Sequence, residues 1–178
     1  MNNSNKKHRK SIRAEWWDYG WNGAYFITIC TKDRQHFFGK IENKKMSLSS
    51  AGVIADVLWH QIPFHHSFVE LGEFIVMPNH VHGVLILDKP KKEIEEIEND
   101  NRMPVEKRLE EGQGKNTVSS IIGSYKSAVT KNVNRLGLES EWQFRFHDHI
   151  IRNEKSYQRI SNYILTNVDN WEDDKFFG

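Results

Sequence analysis

The distribution of apolar positions along the chain predicts a mixed domain of strands and helices. YFITICT at 25–31 combines aromatic and β-branched residues, which is typical of a buried strand. Residues 117–136 instead carry apolar side chains at helical spacing, and Gly137 supplies a stop signal. Asn153 can cap a last helix over about 154–168. The two periodicities therefore occur in alternation within one chain.

The region between the first strand and residue 88 predicts a helix followed by a hairpin. KMSLSS at 45–50 indicates a short strand, and Ser49 or Ser50 can cap a helix over 51–62. A strand over 69–77 meets Pro78-Asn79, a dipeptide that favours a tight turn, so 80–88 should return antiparallel.

EWQFRFHDHIIR at 141–152 also indicates extended chain. Antiparallel strands interleaved with a few helices predict an α+β domain, a sheet with helices packed on one face. The spacing suits a ferredoxin-like arrangement.

Charged residues are unevenly distributed along the chain, although their totals nearly balance. Lys and Arg total 25 and Asp and Glu total 24, so net charge selects no class of partner. We predict a basic arm at 1–18, one catalytic domain at 19–178, and within it a charged insertion at about 89–116 without a core-forming pattern. No apolar run reaches the roughly 18–20 residues of a membrane span, and no signal-peptide pattern is present. We therefore expect a cytoplasmic protein.

Two histidines interrupt the strand pattern FIVMPNHVHGVLIL at 74–87. Imidazoles are costly to bury without partners, and positions two apart on a strand point to the same face. His80 and His82 are therefore either core histidines bonded to backbone carbonyls or two ligands of one divalent cation.

The last helix supplies polar groups that could complete such a site. Tyr163 and Asn167 are one helical turn apart and fall on the same flank of the apolar stripe. Asn167 offers an amide oxygen to a hard cation, and Tyr163 offers a hydroxyl. On spacing alone, Tyr163 could equally be a half-buried boundary residue with its hydroxyl in water.

Four stretches together carry a resemblance to a known family. They are MPNHVH, GAYFITICT, WQFRFHDHIIRN and SYQRISNYILTNVDNW, and they occur in this order between about residues 19 and 171. The chain thereby resembles the single-tyrosine HUH transposases (His-hydrophobic-His), in particular the REP-associated tyrosine transposase branch.

The resemblance implies cleavage and rejoining of single-stranded DNA, which are the two directions of one reversible reaction. It implies Tyr163 as the nucleophile of a 5′-phosphotyrosine intermediate and His80, His82 and Asn167 as ligands of Mg²⁺ or Mn²⁺. Relatives commonly have proline where this chain has Val168, so the last helix is expected to continue toward Trp171. Hairpin ends of DNA are the implied partner, and relatives occur as monomers and as homodimers.

Several basic groups are candidates for contacts with DNA phosphates. Beside the N-terminal arm they are Lys126, Lys131, Arg135 and Arg152, with His149 in a supporting role near the site. Tyr125 is a rival nucleophile, but it lies within the apolar stripe of its helix, which favours core packing.

Two other functions remain open from the sequence. A metal-dependent phosphodiesterase would use water in place of tyrosine and form no covalent adduct with DNA. A non-catalytic DNA-binding relative would need neither the histidine pair nor Tyr163.

Overall fold

A four-stranded antiparallel sheet organises the part of the chain that the computed structural model describes, residues 21–90 and 116–177. In chain order the elements are β1 (Gly23–Cys30), β2 (Gly39–Glu42), β3 (Lys45–Leu48), α1 (Ser50–His60), α2 (Ile62–His65), β4 (Val69–Met77), β5 (His80–Leu87), α3 (Val118–Arg135), β6 (His147–Ile151) and α4 (Glu154–Leu165). Short 3₁₀ turns cover Lys32–Arg34 and Trp171–Asp173.

The strand order is β4-β5-β1-β6, with β2 and β3 forming a separate hairpin. The chain order β1-α1-β4-β5-α3-β6, combined with the strand order β4-β5-β1-β6, is the ferredoxin-like topology that the spacing predicts. The α+β class is confirmed. Strand β2 had no counterpart among the predicted elements.

Alternation along β1 and β5 sends side chains to two differently covered faces. On one face, α1 and α3 pack on Tyr25, Ile27, Val81 and Leu85. On the other, α4 packs with Ala24, Phe26, Val84 and Ile86. The predicted one-face arrangement thus holds for α1 and α3, whereas α4 covers the opposite face, because both sets of alternate strand residues are apolar. His80 and His82 belong to the α4 face.

Gly83, which shares the α1 and α3 face with Val81 and Leu85, permits close packing of a large aromatic residue. A Cβ atom at Gly83 would lie 2.3 Å from the Trp59 ring. Trp59 is completely buried and stacks on Phe74, with ring centroids 4.7 Å apart. The absent side chain therefore lets α1 approach β5, which holds the two histidines.

Most predicted boundaries agree with the structure to within two residues. Ser49 caps α1 through a bond from the Gly52 amide, and Asn153 caps α4 through a bond from the Ser156 amide. Residues 78–79 form the turn between β4 and β5. Gly137, with φ of +68°, follows α3.

The last helix ends earlier than predicted. Helix α4 stops at Leu165, and residues 166–170 form turns instead of continuing the helix toward Trp171. Thr166 and Asn170 divert side-chain hydrogen bonds to backbone carbonyls, of Asn162 at 2.8 Å and of Thr166 at 2.9 Å. Such local bonds compete with helix continuation. Asn167 therefore lies in the turn that follows α4.

The predicted basic arm at 1–18 lies outside the described residues, as does nearly all of the predicted insertion at 89–116. Lys89 is an exception, because it is buried and its ammonium lies 5.2 Å from the centre of the Phe68 ring. Every helix within the described residues falls short of the apolar length that a membrane span requires.

Candidate active site

The two histidines of β5 lie side by side in the interior. His80 and His82 are both completely buried, and their ring centroids are 4.4 Å apart. They share a face because they are two residues apart on a strand. The turn at Pro78-Asn79 begins β5 at His80, so the pair lies at the strand end.

The hydrogen bonds of His80 leave one ring nitrogen available. Its Nδ1 lies 2.8 Å from Oδ1 of Asn79, and Nδ2 of Asn79 donates to the Phe176 carbonyl at 2.8 Å. Because Oδ1 can only accept, Nδ1 of His80 is assigned as the donor, which leaves a lone pair on Nε2. That Nε2 is buried and lacks a hydrogen-bond partner. A buried imidazole nitrogen in this state is a potential metal ligand.

His82 lies between a strand hydroxyl and the last helix. Its Nδ1 is 2.9 Å from Oγ1 of Thr28, which faces it across the β1–β5 pair. Its Nε2 is 3.3 Å from the hydroxyl of Tyr163. Thr28 thus fixes the ring on one side and directs Nε2 toward Tyr163.

Both imidazoles are held neutral. Burial, with smaller contributions from Lys175 and Arg34, lowers the pKa of His80 to about 3. Burial and the neighbouring His80 lower the pKa of His82 well below its usual value. Neutral imidazole is the form that binds metal ions.

Tyr163 presents its hydroxyl to a carboxylate from the C-terminal segment. The hydroxyl donates to Oδ2 of Asp174 at 2.8 Å, and Nδ2 of Asn167 donates to the same oxygen at 3.0 Å. Burial raises the pKa of Tyr163, and the bond to Asp174 raises it further because the carboxylate stabilises the neutral phenol. Tyr163 is therefore a neutral phenol hydrogen-bonded to a potential proton acceptor.

The amide oxygen of Asn167 provides a second available electron pair. Asn167 is buried, its Nδ2 is used by Asp174, and its Oδ1 has no hydrogen-bond partner. Residues 21–90 and 116–177 contain no cluster of three or more His, Cys, Asp or Glu side chains able to hold a metal ion. A cation here would depend on the amide oxygen together with the two imidazoles. The amide oxygen is a ligand type that suits Mg²⁺ and Mn²⁺, whereas imidazoles suit ions such as Zn²⁺ and Fe²⁺.

The C-terminal segment 171–176 covers the histidines. The Phe176 ring is buried, with its centroid 4.7 Å from that of His80 and 5.7 Å from that of His82. Beside it, a cavity of about 260 Å³ is lined by Tyr163, Asn167, Asn170, Asp173, Asp174 and Lys175. The Tyr163 side of the site is therefore accessible, whereas His80 is enclosed.

Two cationic side chains flank this cover. Arg34 donates to the Lys175 carbonyl at 2.9 Å, and its guanidinium lies 5.5 Å from the centre of the Phe176 ring. The Lys175 ammonium lies 4.7 Å from the same ring centre. Both are positioned to attract a phosphate group to the mouth of the site.

The structure separates the other candidate residues by position. His149 is exposed on β6 opposite Phe26, whose ring contacts both His82 and Tyr163. Tyr125 lies in the core, as expected, with its hydroxyl donating to the Ala55 carbonyl at 2.9 Å. Three of the candidate DNA-contacting cations are exposed and lie away from the histidines: Lys131 and Arg135 on α3, and Arg152 after β6.

Lys126 has a local structural contact. Its ammonium donates to the carbonyls of Gln143 at 2.7 Å and Phe144 at 3.2 Å. Burial lowers its pKa. Lys126 therefore holds the segment before β6 against α3. The sequence had suggested instead a free cation that faces DNA.

Sequence reasoning missed Arg34 and Lys175 and also the four residues that bond or cover the site. Thr28 occurs in a strand that reads as core, and Asn79 reads only as part of a turn. Asp174 and Phe176 belong to WEDDKFFG, which has no periodicity. Only the alternation in β1, which places Thr28 on the face opposite Ile27 and Ile29, could have indicated one of them.

Comparisons with known proteins agree with this architecture. An uncharacterized protein of Haemophilus influenzae (strain Rd) is 35% identical over 179 residues, which covers 98% of this chain and 96% of that protein. The chain belongs to the same family as that protein. No protein-family model matches the chain.

Solved structures extend the comparison to the fold. The structure of a REP-associated tyrosine transposase bound to a REP hairpin is 20% identical, with a TM-score of 0.57, covering 89% of this chain and 74% of that one. The chain therefore has the fold of that transposase. A crystal structure of a proposed transposase from Deinococcus radiodurans is 14% identical and covers 86% of this chain and 95% of that one. Its TM-score is 0.42, which is too low to support a shared fold.

Proposed function

We propose that the protein is a metal-dependent transposase that cuts and rejoins single-stranded DNA through a phosphotyrosine at Tyr163. The observation that carries the proposal is the position of the Tyr163 hydroxyl, which lies 3.3 Å from Nε2 of the buried His82 and bonds the same Asp174 oxygen as the Asn167 amide. In addition, Nε2 of His80 is buried and has no hydrogen-bond partner, so its lone pair is available to a cation. The shared fold with a transposase that was solved bound to a DNA hairpin supports single-stranded hairpin ends as substrate.

His80, His82 and Asn167 would hold the cation. A bound Mg²⁺ or Mn²⁺ would polarise a non-bridging oxygen of the scissile phosphate and offset the charge that develops there. Arg34 and Lys175 would attract the DNA backbone toward the same point.

Tyr163 would then attack phosphorus. The new bond joins its Oη to phosphorus, and the bond from phosphorus to the 3′ oxygen breaks, leaving a 5′-phosphotyrosine and a 3′-hydroxyl. The phenolic proton passes to Asp174, which already accepts the hydrogen bond at 2.8 Å, and the leaving 3′ oxygen takes up a proton from solvent. Attack by a 3′-hydroxyl reverses these steps, so rejoining needs no nucleotide cofactor.

The test is a covalent-adduct assay. Labelled single-stranded hairpins from the flanks of the gene are incubated with protein and Mn²⁺ or Mg²⁺ and separated on a denaturing protein gel. Wild type should give a shifted protein–DNA band, and Tyr163→Phe should give none.

Tyr125→Phe is the matched control, because it also removes one tyrosine hydroxyl and one hydrogen bond, at a cost of about 1 kcal/mol. It should retain the band. His80→Ala should lose the band and also weaken cation binding, whereas Tyr163→Phe should not weaken it.

The remaining outcomes identify the alternatives. Cleavage without any adduct, surviving both tyrosine substitutions, would favour the water-using phosphodiesterase. DNA binding without cleavage in wild type would favour the non-catalytic DNA-binding protein.

A further inference from the structure

Phe144 is an apolar side chain in an unusual position. It is 94% exposed, more than any other large hydrophobic side chain within the described residues. Single exposed apolar residues are common on protein surfaces and need no function. Two further features, the backbone beneath Phe144 and the charges around it, distinguish this one.

The backbone at Phe144 is a bulge in the edge strand next to β1. Thr31 pairs with Trp142, and Thr28 pairs with His147. Thr28 and Thr31 are three residues apart, whereas their partners His147 and Trp142 are five residues apart. The second segment therefore has two extra residues between Trp142 and His147. Bulges of this kind redirect side chains and are common beside active sites.

The bulge is held in place from both sides. Lys126 donates to the carbonyls of Gln143 and Phe144, and the Gln143 amide donates to the Cys30 carbonyl at 2.9 Å. Trp142 packs on Phe38, with ring centroids 4.9 Å apart. Phe144 is therefore presented to solvent by an anchored backbone.

The surroundings are basic and open. A cleft of about 450 Å³ beside the bulge is lined by Lys126, Ser127, Thr130, Lys131 and Trp142. Arg145 and His147 are exposed on the other side of Phe144. The acidic neighbour Glu141 is ion-paired with Lys32. A polyanion would meet an excess of positive charge here.

The bulge is also close to the candidate active site. His147 pairs with Thr28, and Thr28 pairs with His82 and bonds to its ring. Strands are about 4.8 Å apart, so the His147 backbone lies about 10 Å from that of His82. Phe144 precedes His147 by three residues at this edge of the sheet, so a single strand that leaves the active site across β1 and β6 would run toward Phe144.

We infer that Phe144 is a stacking platform for a base of the single-stranded DNA where it continues from the active site across the β6 edge of the sheet, and that Lys131, on the α3 side of that edge, contacts a phosphate next to this base. This inference rests on the proposed function and adds a specific binding subsite to it. Aromatic side chains beside basic groups bind single strands by stacking, which is worth about 1–3 kcal/mol per base.

The test compares exposed phenylalanines at opposite edges of the sheet. Phe64 is 87% exposed on α2, which packs on the far edge strand β4. Affinity is measured by fluorescence anisotropy with a labelled single-stranded hairpin carrying a 3′ or 5′ extension, using Tyr163→Phe as background so that no adduct forms. Phe144→Ala should weaken binding at least about fivefold, and Phe64→Ala should leave it within about twofold.

Further variants separate stacking from other roles. Phe144→Trp should restore affinity, whereas Phe144→Leu, which keeps an apolar side chain without a ring, should not. A 2-aminopurine placed at successive positions of the extension should be quenched at one position, and Phe144→Ala should remove that quenching. Lys131→Gln should reduce the slope of log affinity against log salt by about 0.7.

The outcomes that overturn the inference differ from those that overturn the proposed function. If Phe144→Ala binds DNA as well as its background while wild type still forms the adduct, Phe144 is no platform and the proposed function stands. Unchanged affinity with an altered sedimentation coefficient would instead make Phe144 a protein contact. If wild type neither binds single strands nor forms an adduct, both fail.

Discussion

The hydroxyl of Tyr163 donates a hydrogen bond to the carboxylate of Asp174, which belongs to the segment that follows the last helix. The same carboxylate oxygen accepts from Asn167. One acidic side chain thus holds the candidate nucleophile and a candidate cation ligand in fixed positions. Its negative charge also stabilises the protonated phenol, so Asp174 both restrains Tyr163 and is the nearest acceptor for its proton.

Asp174→Asn should therefore lower the pKa of Tyr163 toward its usual value. The charge that favours the neutral phenol is removed, while burial, the larger cause of the raised pKa, remains. The pKa should consequently stay above that of a free tyrosine. It can be measured from the ultraviolet absorbance of the phenolate, as the difference between Asp174→Asn and Asp174→Asn/Tyr163→Phe. An unchanged or higher pKa would show that Asp174 does not act on the phenol.

The same substitution should slow adduct formation if Asp174 accepts the proton, since general bases contribute about 10²-fold to 10⁴-fold. Asp173→Asn is the matched control, because Asp173 lines the same cavity without a bond to Tyr163. Equal rates for wild type and Asp174→Asn would assign the proton to another acceptor.

Phe176→Ala should make cation binding faster. His80 is completely buried, and the Phe176 ring lies against it, so a cation reaches Nε2 of His80 only when residues 171–176 move. Removal of the ring should lower that barrier, which stopped-flow mixing of protein with Mn²⁺ would detect. Phe177→Ala is the control, because Phe177 is half exposed and contacts Trp171 but no histidine. Identical rates in the two variants would show that the cover does not limit access.

The contrast between predicted and missed residues has a physical origin. His80, His82 and Tyr163 were predictable because strand and helix periodicities relate neighbours in sequence, and the family resemblance indicated their roles. Asp174 and Phe176 reach the site through tertiary contacts of a segment with no period. The end of α4 was predicted too late because the Asn167 amide bonds the Ile164 carbonyl three residues back, a switch of bonding pattern that apolar periodicity does not reveal. The bulge at Phe144 depends on strand register, which the sequence does not specify.

The metal-free protein should lose stability as pH falls below about 6.5. The pKa of His80 is about 3 in the folded protein and about 6.5 when unfolded, so the unfolded state binds the proton first. The resulting destabilisation is absent well above pH 6.5 and grows as the pH falls toward about 3, by up to about 1.4 kcal/mol per pH unit. Urea unfolding at several pH values measures it. His80→Gln should reduce this dependence, and His82, whose pKa is also lowered by burial, should account for a remaining part.

Thr28→Val tests whether the strand hydroxyl prepares His82 for a cation. Valine keeps the shape of threonine but leaves Nδ1 of His82 without its partner at 2.9 Å. Loss of a partner that orients a ligating histidine typically weakens metal affinity about 10-fold to 100-fold. Titration calorimetry with Mn²⁺ should show this loss in Thr28→Val, and Thr130→Val on α3 serves as the control. Because the unpaired nitrogen is buried, the free energy of unfolding should also fall, by about 1–3 kcal/mol. Reduced stability with unchanged Mn²⁺ affinity would limit Thr28 to the core and would remove His82 from the cation site.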